Sequence, residues 1–95
     1  MFRLMTLCVI AGTLMIHPHE HRVVGTVAKV QLPYFDVADK TGDKTLFMIV
    51  PATEIFVGKA KGTTADITVG RSIVAEGEEN DRGVTEAKMV HLSGS

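Results

Sequence analysis

Between Arg22 and Leu92 no run of ten or more residues carries a helical period. Short stretches of alternating apolar and polar residues recur there at even spacing, divided by glycine, proline and charged turns. Side chains on a strand alternate faces, so this pattern buries one face of each short strand and leaves little room for any other architecture. Arg22 to Gln31 (RVVGTVAKVQ) is rich in β-branched residues, and Gly25 within it suggests a bulge or a sharp bend. Pro33 interrupts, and Tyr34 to Asp39 follows with Phe35 and Val37 on one face. Lys40 to Asp43 reads as a hairpin loop with Gly42 at a position open to positive φ. Lys44 to Val50 is apolar on both faces and is expected to be the most buried strand.

Pro51 ends that strand. Thr53 to Val57 is a short extended segment, Gly58 to Gly62 an exposed loop, and Thr63 to Ile67 a capped helical turn. Ser72 to Gly77 and Val84 to Leu92 form the last two strands, joined by a loop-like turn over Glu78 to Gly83. Three strands, a short helical turn between strands 3 and 4, then a two-stranded hairpin is the order of a small OB-like five-stranded barrel, so the expected class is all-β. An SH3-like or open-meander barrel is the alternative. Residues 22–92 would make up the barrel and 93–95 a frayed tail.

The first residues follow a different rule. Arg3 precedes Leu4 to Ile16, an uncharged apolar run of thirteen residues. That is short for a bilayer span, which takes about twenty residues, and it fits a secretory h-region. Val9-Ile-Ala11 and Ala11-Gly-Thr13 are partial matches to a small-x-small cleavage site. Residues 1–13 are therefore expected to be a secretion signal and the product periplasmic or secreted; a buried first strand or an uncleaved anchor is the alternative. Cys8 sits in this segment behind Met5-Thr6-Leu7, unlike a lipoprotein signal, so no cysteine would remain to form a disulfide.

Residues 14–21 form an arm containing "HPHEH". Pro18 disfavours helix at His17 and keeps the arm extended. Every second side chain then projects to one side about 6.6 Å from the last, so His17, His19 and His21 can lean onto one ion. Neutral imidazole suits copper and zinc, and ceases to be a ligand once protonated, near about pH 6.5 for the free group. Met89 and His91 share a face of the last strand and are candidates to complete the set, with Met89 a soft donor for Cu(I). Against these stand a polar spacer with idle histidines and methionine as core filler.

Other signals are weaker. Glu76, Glu78, Glu79 and Asp81 lack the order of a calcium loop and read as a solvated hairpin, as do Asp36, Asp39 and Asp43. Gly58 to Thr64 does not satisfy the phosphate-loop pattern, and no serine lies in a nucleophile elbow, so no enzyme is expected. Tyr34 and Phe47 offer a base-stacking platform in an OB-like barrel. A net charge of −1 and the export signal argue against nucleic acid as a partner.

Gly25-Thr-Val27, Thr53-Glu-Ile55, Asp66 to Gly70, Val74 to Gly77 and Ala87 to Val90 together resemble the loose pattern of a family of small exported bacterial domains of uncharacterised function. The match runs over residues 22 to 92. A related-looking group opens with a histidine segment leading into G-T-V and looks associated with heavy-metal handling; "HPHEHRVVGTV" is similar to it. The resemblance implies export and a β-barrel, and favours a metal. The functional expectation is a non-catalytic exported barrel binding Cu or Zn, with an envelope structural or protein-interaction module, and then a single-strand binder, as alternatives.

Overall fold

A computed structural model describes residues 20–94. The secretion segment 1–13, the arm residues His17 and His19, and Ser95 lie outside the described residues. The remainder is nearly all β: β1 (Glu20–Gln31), β2 (Tyr34–Ala38), β3 (Lys44–Met48), β4 (Glu54–Val57), β5 (Ala60–Lys61), a 3-10 turn (Thr64–Asp66), β6 (Ser72–Glu79) and β7 (Thr85–Leu92). Seven strands, rather than the five expected, lie in one sheet of order β3-β2-β1-β6-β7-β4-β5, with a further pairing of β3 to β7.

β1 is the spine of the sheet. Its first half pairs antiparallel with β6 from Glu20 to Thr26, and its second half with β2 from Thr26 to Gln31. It starts at Glu20, so His21 belongs to a hydrogen-bonded strand and not to the free arm expected from the sequence. The bulge of β1 falls between Val27 and Lys29, away from Gly25. Gly25 is needed for another reason: at the point where β1 passes from one partner to the other, a Cβ would stand 1.9 Å from the Ala38 carbonyl oxygen. Only hydrogen fits between these two backbones.

The inward faces of the strands supply the core. Val27, Phe35, Val37, Phe47, Ile55, Ile67, Ile73, Ala75, Ala87, Val90 and Leu92 are all buried, and the cross-strand pair Phe35 and Phe47 stacks at 5.4 Å. Offset stacking of this kind adds to the area the two rings bury. β3 is not the most buried strand. Only Phe47 in it is buried, and Leu46 is 48% exposed because its face carries Lys29 and Asp36 across the sheet and no second layer covers them. β6 and β7 bury more, through Ile73, Ala75, Ala87, Val90 and Leu92.

The loops are fixed by side chains short enough to reach the backbone. Asp39 Oδ1 accepts from the Thr41 hydroxyl at 2.6 Å and from the amides of Thr41 and Asp43, closing the β2–β3 hairpin. Those bonds, the Thr41 hydroxyl first, hold the Asp39 carboxyl below its ordinary value. Asp66 Oδ2 accepts from the Thr63 amide at 2.8 Å at the start of the 3-10 turn. Thr53 occupies the gap between the β3 and β4 pairings on β7: its hydroxyl donates to Ala87 O at 2.6 Å and accepts from the Val50 amide at 2.9 Å. Arg71 donates to Asp66 O and Ser93 O, tying the turn to the chain end.

Candidate metal centre

The last strand owes its chemistry to one irregularity. Strict alternation from Thr85 and Ala87, both buried, would send Met89 and His91 into the core. The register with β6 shifts instead: Gly77 faces Ala87 and Glu76 faces Met89, leaving Lys88 as an extra residue on β7. This bulge reverses the parity, so that Val90 and Leu92 turn inward while Met89 is half-buried and His91 exposed on the outer face. Gly77 permits it, because a Cβ there would lie 2.3 Å from the Glu86 carbonyl oxygen.

On that outer face His91 Nε2 stands 3.1 Å from Met89 Sδ. With a hydrogen on Nε2 the ring donates to sulfur; with Nε2 bare, two lone pairs converge on one point. The imidazole is held by Phe56 of the parallel neighbour β4, stacked at 5.2 Å and 22°. Val24, 54% exposed, and Val74 complete the row across β1 and β6. In the next row Met89 lies between Glu76 and Glu54, and Arg22 Nε is 3.4 Å from Glu76 Oε2. Beyond it Lys88 meets Glu78 at 3.2 Å and Asn80 donates to Glu86.

His21 is placed elsewhere. On β1 it pairs with Gly77 of β6 and shares the face of Val23 and Val27, with Nε2 3.7 Å from Glu79 Oε1. It therefore projects to the opposite side of the sheet from Met89 and His91, and these three donors do not meet. Among the described residues no three His, Cys, Asp or Glu side chains gather as a set that could hold an ion. The Met89–His91 pair is thus the one expected juxtaposition of the donors that the described residues bring about.

The remaining sequence candidates separate in the same way. Phe47 is fully buried against Phe35 while Tyr34 lies outward at 37% exposure, opposite Met48, so the two do not form a platform. Gly58 to Gly62, expected to be an exposed loop, is largely exposed but contains β5, paired to β4 through Val57 and Ala60. Phe56 as a partner for His91 escaped sequence reasoning, since nothing local links residues so far apart. The bulge did leave a trace: Met89 and Val90 are consecutive apolar residues in an otherwise alternating strand.

Comparison with known protein families, with curated proteins and with solved structures returns no match to this chain. Among the described residues no helix is long and apolar enough to cross a membrane.

Proposed function

We propose that this chain is an exported, non-catalytic, OB-like β-barrel protein that binds a transition metal, copper or zinc, using His17, His19, His21, Met89 and His91. The barrel reading rests on the ring β1-β2-β3-β7-β6, which the parallel β3–β7 pairs Phe47 to Thr85 and Met48 to Glu86 bring round on itself. In this reading β4 and β5 are a small addition beside β7, and the 3-10 turn is the helical linker before the final hairpin. Export, to the periplasm or beyond, rests on Leu4 to Ile16.

The observation that carries the metal reading is the 3.1 Å approach of Nε2 and Sδ on an exposed face. Nitrogen and sulfur donors bound to one ion at roughly 2.0–2.3 Å stand about 3.1–3.5 Å apart at angles of about 90–110° and somewhat farther apart at wider ones, so a small turn of either side chain brings both within reach of one ion. A second reading, an envelope interaction module, draws on the outer face of β1 to β3, where Tyr34 and Leu46 lie exposed beside Lys29 and Gln31.

The test is uptake of Cu(I), Cu(II) and Zn(II) by the full chain as purified, compared with a variant in which all five donors are replaced. The proposal expects binding by the first and none by the second. Equal uptake by both, or none by either, favours the interaction module.

A further inference from the structure

We propose that Met89 and His91 form a Cu(I) site of their own, separate from the histidines at the chain's beginning. This rests on the metal reading above and narrows it to a particular ion at a particular place.

Three features of the outer face suit this ion. One donor is a thioether, a soft neutral ligand that favours Cu(I) over Cu(II) or Zn(II). The surroundings are apolar on the His91 side: Val24 and Val74 lie in its row, and Phe56 covers the ring. The cost of drawing an ion from water grows with the square of its charge, so even this partial apolar covering weighs more against a divalent ion than against a monovalent one. Finally, both donors sit two residues apart on one strand, held by pairing on both sides and by the Lys88 bulge. A paired strand has little freedom left to lose on binding, in contrast to a flexible arm.

The same geometry keeps this site apart from His21. Along the strands, His91 lies level with Val24, three residues beyond His21 or about 10 Å. Across the sheet, β6 stands between β1 and β7, adding two strand spacings of roughly 4.8 Å each. The two imidazoles also leave opposite faces. Ligands must approach an ion to about 2 Å, so His21 cannot share the one held by Met89 and His91.

The experiment is titration of the full chain with Cu(I) under anaerobic conditions, against a chromophoric Cu(I) chelator, with parallel Cu(II) and Zn(II) titrations. Met89→Leu conserves size on a partly exposed position and leaves the fold in place, which circular dichroism verifies. Met89→Leu and His91→Gln are each expected to weaken Cu(I) by about tenfold or more and to change Cu(II) and Zn(II) by less than about twofold. In a chain already carrying alanine at His17, His19 and His21, Met89→Leu is expected to weaken the remaining Cu(I) binding by about tenfold or more. Unchanged Cu(I) affinity in Met89→Leu, or equal weakening of all three ions, overturns this site while leaving the general metal reading standing. Absence of binding by the unaltered chain removes both.

Discussion

Replacing Gly77 with alanine tests the link between backbone packing and the outward face of β7. The new Cβ would stand 2.3 Å from Glu86 O, 3.0 Å from Glu86 C and 3.1 Å from Ala87 Cα, all backbone atoms that no rotamer change can move. Restoring ordinary contact requires β6 and β7 to part by about 1 Å, which stretches neighbouring ladder bonds beyond about 3.5 Å. Losing about two such bonds at ~1 kcal/mol each, with ~1–2 kcal/mol of overpacking strain, gives about 3–4 kcal/mol. A domain of this size is stabilised by roughly 4–11 kcal/mol in all, so the variant should unfold about 12–30 °C below the parent. The assay is urea and thermal unfolding followed by circular dichroism. Gly42→Ala is the control, since Gly42 at φ +93 has nothing within 4 Å of where a Cβ would stand and should cost only about 1–2 kcal/mol of backbone strain. A Gly77→Ala stability within about 0.5 kcal/mol of the parent, or above that of Gly42→Ala, would refute the steric reasoning.

Other substitutions probe separate parts of the fold. Thr53→Val keeps the shape but leaves the Val50 amide and the Ala87 carbonyl without the bridging hydroxyl, a loss of about 1–3 kcal/mol read from the urea midpoint. Phe47→Ala empties the position stacked on Phe35 and should cost about 3–5 kcal/mol, enough to abolish a sharp thermal transition near ambient temperature. Asp39 has its folded-state pKa lowered, so its contribution is fully present above the ordinary value of 3.8 and disappears as pH falls through the lower folded value. Asp39→Asn should therefore flatten that part of the acid-stability curve, and an unchanged acid limb would show that the hairpin bonds do not couple to folding.

Much of the strand pattern was readable because inward residues obey a period of two: Phe35 and Val37, then Ile73 and Ala75, are where alternation puts them. The loops at Lys40 to Asp43 and Thr63 to Ile67 were readable because their bonds are local, although the first begins one residue earlier, at Asp39. Leu46 misled because two apolar faces were taken as two buried faces, and whether a layer covers the second depends on elements distant in sequence. The break in alternation at Met89 and Val90 hinted at an irregularity without naming Lys88 as the extra residue, which is fixed by the pairing with Glu76 and Gly77 on another strand. Most positions of the family-like pattern prove to be structural, Val74 on the outer face being an exception. Val27, Ile55, Ile67, Ala87 and Val90 are core, Gly25 and Gly77 allow close backbones, and Thr53 bridges β3 and β4 to β7. Such a pattern announces a fold and is silent on ligands. The candidate site instead combined a legible part, the i and i+2 spacing of Met89 and His91, with an illegible one, the ring of Phe56.

X-ray absorption at the copper edge, on the full chain loaded anaerobically with Cu(I) and freed of excess metal, tests the metal reading most directly. The prediction is a copper environment containing both a sulfur and an imidazole nitrogen, with the sulfur lost in Met89→Leu. Copper surrounded by nitrogen and oxygen alone would contradict the Met89–His91 site, and no copper retained by the folded protein would contradict the metal reading itself.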